Sequence, residues 1–285
     1  MTAAVHATAD GLRLAGHDLG GSGPPLLKAH AAGLHGLVLE PLARRLAAAF
    51  RCHSFDHRAH GDSRLPPDRE LDWHGLATDV LAVVDGLDLD RPVAFGHSGG
   101  ATALLMAEQA RPGTFAALYL FEPVIVDADP PLGRDPDNWL AARARRRRSD
   151  FPSREAALAH FAAKPPLARL DPEVLRAYVD HGFDDLPGGG VTLKCRPEHE
   201  AAVYETATDH DAFGRLGQVA CPVLVACGAD TDGCPPALAG AHSRRLRRGG
   251  WEMLPGLGHL GPLERPDDVA ASVRRFLVPA ATGPR

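Results

Sequence analysis

The sequence predicts an α/β protein with a doubly wound, mainly parallel sheet and an inserted helical cap. Short apolar runs alternate with amphipathic helix patterns in the first and last parts of the chain, which is typical of parallel strands covered by helices on both faces. The middle part is rich in proline and charge and carries helix patterns alone. We therefore predict a core formed by residues 1–126 and 212–285 and a cap formed by residues 127–211.

The bulk composition excludes several classes of partner. The chain has 285 residues and a net charge of −5, so its field favours neither nucleic acid nor an anionic membrane. It has no export-like start and no apolar run of about 20 residues, the length that spans a bilayer. We expect a cytoplasmic protein that acts on a small-molecule substrate, and the sequence carries no signal for an oligomeric state.

The cysteines and a histidine cluster indicate no metal and no cofactor. An odd number of cysteines at scattered spacings argues against a disulfide framework, and these spacings do not match a zinc site. His53, His57 and His60 span a strand end and a loop, without the spacing of two ligands on one helix face. The residues expected to be buried free thiols are Cys52, Cys195, Cys221, Cys227 and Cys234.

The first third of the chain alternates strand and helix patterns. Asp72 suits the N-cap of a helix whose apolar residues recur at the helical period from Trp73 to Leu87. Lys28 falls in an apolar strand, where we expect its amine to reach the sheet end or to pair there. The other elements predicted here are strands at 11–19, 25–30 and 51–55 and a helix at 40–50.

A short apolar strand is followed directly by Gly96-His97-Ser98-Gly99-Gly100 and then by good helix formers. A strand that turns sharply into a helix forces its turn residue into strained backbone angles, and small neighbours let other backbone pass close by. A hydroxyl on such a turn is presented beside the N–H groups of the new helix. We therefore predict Ser98 to be a nucleophile rather than part of an ordinary turn, and His97 to pack beneath it.

The elements after Ser98 are predicted from the same strand and helix patterns. Helix patterns alone fill the cap, and strand and helix patterns alternate again after it. We expect the tail 279–285 to be disordered. The predicted elements are a strand at 115–121, cap helices at 139–148, 154–163, 172–180 and 198–206, a strand at 222–227, a helix at 236–247, a strand at 251–254 and a final helix through 269–277.

A serine hydroxyl needs a base within hydrogen-bond reach, and that base needs an orienting acid. His259 stands apart from the other histidines because it follows the last strand and precedes the terminal helix. The ligand crevice of an open parallel sheet lies at the carboxyl ends of its strands. His259 is thus the predicted base.

Four motifs in order along the chain resemble those of the α/β-hydrolase family, in its serine-nucleophile, esterase and lipase-like branch. They are His30-Ala31-Ala32-Gly33, Asp56-His57-Arg58-Ala59-His60-Gly61-Asp62-Ser63, Gly96-His97-Ser98-Gly99-Gly100, and Gly258-His259. The resemblance implies that Ser98 is the nucleophile, that His259 is the base, and that the amides of Ala32 and Gly99 form the oxyanion hole. The sequence departs from the family at Ala31 and Ala59, where glycine is usual.

The acid has several candidates. The family usually places it three residues after the glycine that ends the strand at 222–227, and this chain has Thr231 there. Counting back from the following prolines selects Asp232, which we favour, whereas counting forward leaves both Asp230 and Asp232 open; Asp230 is the last of the three candidates. Another branch of the family places the acid after the preceding strand of the sheet, where this chain has Glu122.

Serine on the turn disfavours the alkyl-enzyme chemistry that an aspartate would support. We expect a serine hydrolase that cleaves a small or medium carboxylic ester or thioester through an acyl-enzyme. The alternatives are a C–C bond hydrolase or lyase that uses the same serine and histidine, and a non-catalytic ligand receptor. The basic run 143–148 is expected to be a solvated helix face paired with nearby acids, with contact to a substrate carboxylate or to the phosphates of a carrier thioester as the alternative.

Overall fold

A computed structural model describes residues 4–7 and 10–282 of the chain. The strands within these ranges are β1 (Ala4–Ala7), β2 (Arg13–Asp18), β3 (Pro25–Ala29), β4 (Arg51–Phe55), β5 (Val93–His97), β6 (Ala117–Phe121), β7 (Asp150–Phe151), β8 (Phe183–Asp185), β9 (Val191–Leu193), β10 (Val223–Gly228) and β11 (Gly249–Leu254). The α-helices are α1 (Glu40–Leu46), α2 (Trp73–Gly86), α3 (Gly99–Ala110), α4 (Trp139–Arg145), α5 (Arg154–Ala162), α6 (Pro172–His181), α7 (Pro197–Glu205), α8 (Pro236–Arg245), α9 (Gly261–Glu264) and α10 (Pro266–Thr282).

The main sheet has eight strands in the order β1-β2-β4-β3-β5-β6-β10-β11. β1 and β2 pair antiparallel, as do β2 and β4, and all other pairs are parallel. The predicted α/β class with a mainly parallel sheet is confirmed. Because parallel strands end at one edge of a sheet, the loops after β3, β5, β6, β10 and β11 meet there.

Helices cover the sheet on both faces because successive strand side chains alternate between two apolar clusters. In β5, Phe95 belongs to the cluster that includes α1 and α10, and Ala94 belongs to the cluster that includes α2 and α3. The predicted N-cap of α2 is present, since the Asp72 carboxylate accepts a hydrogen bond from the Gly75 amide at 2.7 Å. The helices on both faces hold the sheet in place, and the positions of its strand ends in turn determine where the loops after these strands lie.

The segment between β6 and β10 differs from the purely helical prediction. It contains helices α4 to α7, but also a three-stranded antiparallel sheet in the order β7-β9-β8. Its strands have only two or three residues, too few for an alternating pattern to be recognised. The segment contacts the core where His35 Nε2 donates to the Tyr178 carbonyl oxygen at 3.2 Å.

A division of the chain into core and cap domains stays a prediction.

Three other expectations have clear outcomes. The predicted disorder of the tail is wrong for residues 279–282, because α10 continues past Pro279 to Thr282, and residues 283–285 lie outside the described part. The five cysteines are buried and free, as predicted. No helix within residues 4–7 and 10–282 combines the length and the apolar character that crossing a membrane requires.

The surroundings of the Lys28 amine in β3 differ from the prediction. Its side chain is fully buried, at 0% exposure, and Nζ has no oxygen or nitrogen hydrogen-bond partner among the described residues. Burial lowers the pKa of Lys28, and the neighbouring Cys52 thiol offsets this effect only in part. The amine is charged in the unfolded chain at neutral pH, but burial favours its neutral form in the folded chain. Folding must therefore release a proton, which lowers the free energy of unfolding.

We therefore expect Lys28→Met to stabilise the protein at pH 7. The native state binds fewer protons than the unfolded state between the lowered pKa and the ordinary value of about 10.4, so wild-type stability rises with pH in that window. Thermal unfolding measures the effect, with an increase in Tm of about 2–4 °C for each kcal/mol relieved. Exposed Lys164 supplies the matched control, Lys164→Met. A gain no larger than the control's at pH 7, or one that does not shrink toward pH 10, contradicts the expectation.

Candidate active site

Ser98 lies on the sharp turn between β5 and α3. Its backbone angles are φ 53° and ψ −120°, in a region that side chains other than glycine rarely adopt. The Ser98 amide donates to the Phe121 carbonyl oxygen at 2.9 Å, and the Thr102 amide donates to the Ser98 carbonyl oxygen at 3.2 Å. Neighbouring strand and helix thus hold the strained residue in place.

At two of the three glycines near Ser98, other backbone passes too close to leave space for a side chain. A Cβ on Gly96 would lie 2.4 Å from the Ala101 Cα, and a Cβ on Gly100 would lie 2.4 Å from the His30 carbonyl oxygen. Gly99 differs, because the nearest atom to its Cβ position is 3.6 Å away, on Trp73. The Gly-x-Ser-x-Gly spacing therefore has a steric cause.

His259, in the loop after β11, contacts Ser98 with one ring nitrogen and Glu122 with the other. His259 Nε2 lies 3.1 Å from Ser98 Oγ, and His259 Nδ1 lies 2.6 Å from Glu122 Oε2. Because an ionised carboxylate only accepts hydrogen bonds, Nδ1 carries the proton and Nε2 is left to accept from the serine hydroxyl. The histidine side chain is 31% exposed, whereas that of Glu122 is fully buried.

Glu122 follows β6 directly and has a left-handed backbone, with φ 48°. Its Oε1 accepts from the Gly228 amide at 2.9 Å, and its Oε2 accepts from the Thr231 hydroxyl at 2.6 Å and from the Cys234 amide at 3.3 Å. Burial opposes ionisation of this carboxyl, but hydrogen bonds from His259, Thr231 and Gly228 outweigh it and lower the pKa of Glu122. The side chain is therefore a carboxylate at neutral pH.

The structure does not bring Asp232, the favoured candidate, into contact with His259. Within the described residues, the carboxylate against His259 is that of Glu122, while Asp230 and Asp232 are exposed. The loop after β10 passes directly over the Glu122–His259 bond, since a Cβ on Gly233 would lie 2.6 Å from His259 Nδ1. Its backbone thus turns Thr231 inward and the two aspartates outward. The absence of an acid at the usual position, which Thr231 occupies, was the sequence signal that could have pointed to Glu122.

His97 holds the loop that carries His259. His97 Nε2 donates to the His259 carbonyl oxygen at 2.8 Å, so the ring does more than pack beneath the turn as predicted. Burial, together with the neighbouring His259 ring, lowers the pKa of His97 to about 3. A neutral ring with its proton on Nε2 fits the donor role.

The two predicted oxyanion amides, those of Ala32 and Gly99, lie on adjacent loops. The Ala32 nitrogen is 3.8 Å from the Cβ position of Gly99. Gly99 begins α3, so its N–H belongs to the unpaired N-terminal donors of that helix. The Ala32 nitrogen therefore lies close to Gly99, the residue that follows Ser98.

Two buried histidines join the loop after β3 to the loop after β4. His30 Nδ1 donates to the Ala31 carbonyl oxygen at 2.8 Å while Nε2 accepts from the His57 amide at 3.0 Å. His60 Nε2 accepts from the Gly33 amide at 3.0 Å, and its Nδ1 donates to the carbonyl oxygen of residue 58 at 2.9 Å. Burial lowers the pKa of both rings, which keeps each Nε2 free to accept. The peptides on both sides of Ala32 are thereby fixed.

The departures from the family at Ala31 and Ala59 are accommodated locally. Ala59 keeps a left-handed backbone, with φ 65°, and tolerates the strain that glycine would avoid. The His57 ring packs against Phe55 and His30, with ring centres 4.7 Å apart in each case. In the described part of the chain no group of three or more His, Cys, Asp or Glu side chains has an arrangement that could hold a metal ion.

The basic run of the cap is largely paired. Arg145 forms an ion pair with Glu205, and Arg147 pairs with Glu200. The Arg148 guanidinium lies 4.4 Å from the centre of the Phe151 ring. Arg145 and Arg147 therefore pair with nearby acids, as the sequence predicted, and Arg148 in addition stacks on an aromatic ring.

Comparison with known proteins agrees with the fold and the motif order. A profile of the alpha/beta hydrolase family matches residues 26–272, so the chain belongs to this family, and it is an enzyme of the α/β-hydrolase class. Human monoglyceride lipase is 38% identical over 103 residues, which cover 34% of this chain and 34% of the lipase. The pimeloyl-acyl-carrier-protein methyl ester esterase of Nitrosospira multiformis is 24% identical over 90% of this chain and 95% of its own.

A solved structure shares the same architecture. The crystal structure of E-2-(acetamidomethylene)succinate hydrolase superposes with a TM-score of 0.79 and 21% identity, over 97% of this chain and 99% of that chain. At this level of identity the likeness concerns the fold alone. The predicted α/β-hydrolase fold is confirmed.

The contrast between the two adjacent glycines gives a direct test of the turn. We expect Gly100→Ala to lower the free energy of unfolding by about 1–3 kcal/mol, because the new methyl group must displace backbone. Gly99→Ala is the matched control: its methyl group has space, and alanine favours a helix over glycine by about 0.5–1 kcal/mol. Urea denaturation of both variants measures the difference. Equal stability of the two variants would show that the packing around Gly100 is looser than described.

Proposed function

We propose that the protein is a serine hydrolase that cleaves a small or medium carboxylic ester or thioester through an acyl-enzyme on Ser98. The observation that supports this best is the unbroken pair of hydrogen bonds, 3.1 Å from Ser98 Oγ to His259 Nε2 and 2.6 Å from His259 Nδ1 to Glu122 Oε2. Acyl transfer by serine needs a nucleophile, a base that contacts it and an acid that orients the base, and these two hydrogen bonds connect three such groups.

In the first half-reaction His259 removes the proton of Ser98 as Oγ attacks the substrate carbonyl carbon. Glu122 stabilises the imidazolium ion that forms. The amides of Gly99 and Ala32 donate to the negative oxygen of the tetrahedral intermediate. His259 then gives its proton to the departing alcohol or thiol, which leaves the acyl group on Ser98.

In the second half-reaction a water molecule replaces the alcohol or thiol. His259 removes a proton from this water as it attacks the acyl carbonyl, and the same two amides stabilise the second intermediate. Collapse of that intermediate releases the carboxylic acid and returns the proton to Ser98. The partial exposure of His259, 31% of its side chain, allows water to reach the base.

The proposed substrate class also draws on the relatives. The names of two of them, a methyl ester esterase and a monoglyceride lipase, refer to carboxylic esters. The alternatives, a C–C bond hydrolase or lyase and a non-catalytic receptor, predict other behaviour. A C–C hydrolase would cleave β-diketones faster than esters, and a receptor would cleave neither.

Covalent labelling tests the proposal. A fluorophosphonate should label the wild-type chain at Ser98, as located by peptide mass spectrometry, and should abolish hydrolysis of p-nitrophenyl acetate. Ser98→Ala removes both the label and the turnover, and Ser22→Ala, which changes an exposed serine outside the site, removes neither. Absence of a label on Ser98 in folded protein would refute the proposal.

The identity of the acid has its own test. We expect Glu122→Gln to reduce kcat strongly, by up to about 10⁴-fold, because an amide in place of the carboxylate favours the wrong tautomer of the histidine. Asp232→Asn should leave kcat within about twofold, because Asp232 is exposed and does not contact His259, and a substitution at such a surface position has little effect on stability. Steady-state kinetics on one ester and circular dichroism of both variants are sufficient. A large loss in Asp232→Asn with full turnover in Glu122→Gln would reverse the assignment.

A further inference from the structure

A pocket of about 390 Å³ lies between the cap and the loop after β4. We call it the cap pocket. Its walls come from the residues that follow α4, from β9 and the start of α7 in the cap, and from Arg64 in the core. The cationic side chains that line it are Arg64, Arg145, Arg147, Lys194 and Arg196, against the two acidic side chains of Asp184 and Glu198.

Ion pairs hold several of these cations in place. Arg64 Nη2 donates to both carboxylate oxygens of Asp184, at 2.7 and 2.8 Å. Lys194 Nζ lies 2.6 Å from an oxygen of Asp62. A guanidinium has five N–H donors and an ammonium three, so these contacts leave donors available. The pairs therefore orient the cations without using up their capacity to bind an anion.

Arg196 differs from the other cations of the cap pocket. Its side chain is exposed, and no carboxylate in residues 10–282 forms an ion pair with its guanidinium. A guanidinium presents a planar fork that matches a carboxylate or a phosphate. Arg196 is thus the cation most available to a ligand.

The cap pocket is linked to the oxyanion loop through Arg147. This side chain lines the pocket, and its Nη1 is 3.1 Å from the Cβ position of Gly33. Gly33 follows Ala32, whose amide is one of the two proposed oxyanion donors. Arg147 also pairs with Glu200 and donates to the Tyr178 hydroxyl at 2.7 Å. One fixed side chain therefore contacts both regions.

We infer that the cap pocket binds an anionic group, a carboxylate or a phosphate, at the end of the substrate remote from the ester. This inference rests on the proposed function, because it gives the hydrolase a preference for substrates with an acidic tail. Three features support it: the guanidinium of Arg196, which forms no ion pair in residues 10–282, the cations that ion pairs hold around it, and Arg147, which contacts both the cap pocket and the oxyanion loop. The polar pocket would orient the tail, and the chemistry would stay at Ser98.

Direct binding tests the pocket without turnover. In Ser98→Ala protein, isothermal titration with glutarate and with pyrophosphate distinguishes a carboxylate from a phosphate ligand. We expect at least one of them to bind, with an affinity that falls as salt rises, and Arg196→Glu to weaken it at least tenfold. Arg143→Glu makes the same charge change at an exposed position of α4 outside the lining and should change the affinity less than twofold. Failure of both anions to bind at low salt overturns the inference.

Kinetics test the link to the substrate. For monomethyl esters of dicarboxylic acids of increasing length, we expect kcat/KM to pass through a maximum and there to exceed that of the matching uncharged methyl ester at least tenfold. Arg196→Glu should remove this preference and leave the rate on the uncharged ester unchanged, whereas Arg143→Glu should retain it. Binding without any preference for the acid overturns the role as a substrate subsite. Lack of phosphonate labelling on Ser98 would instead refute the hydrolase, since the titration does not depend on catalysis.

Discussion

The hydrogen bond between Glu122 and His259 is the contact on which the proposed chemistry depends. It joins the end of β6 to the loop after β11 at 2.6 Å, deep enough that the carboxylate is fully buried. A buried carboxylate is costly unless its oxygens are satisfied. The loop after β10 meets this requirement with the Thr231 hydroxyl and the Cys234 amide, and the Gly228 amide at the end of β10 adds a third donor. The region that we expected to supply the acid thus supplies its hydrogen-bond donors.

The histidines near the site divide by exposure into two chemical roles. His259 is partly exposed and stands between a carboxylate and a hydroxyl, which suits a group that gains and loses a proton. His30, His60 and His97 are buried, and burial lowers their pKa values. As neutral rings they accept and donate at fixed nitrogens and connect backbone loops. The same type of side chain is therefore the proposed base at position 259 and connects backbone loops at the three other positions.

Much of this arrangement could be predicted from the sequence because it depends on local pattern and chain order. The turn at Ser98 is encoded by its glycines, and the place of His259 follows from the strand before it. The acid could not be chosen by counting residues, because the backbone path after β10 decides that Thr231 faces inward and Asp232 outward. The strands β7, β8 and β9 are too short to leave a pattern. The fully buried position of Lys28 depends on what packs over its face of the sheet, which the sequence of the strand alone does not reveal.

Proton NMR of the imidazole of His259 tests the central contact most directly. A proton on Nδ1 that is shared with a buried carboxylate gives a resonance far downfield of other ring protons, and Nδ1 labelling with ¹⁵N identifies it. The contact described here predicts this resonance in the wild type and in Asp232→Asn, and its loss in Glu122→Gln. Persistence of the resonance in Glu122→Gln, or its disappearance in Asp232→Asn, would contradict the assignment of Glu122 as the partner of His259.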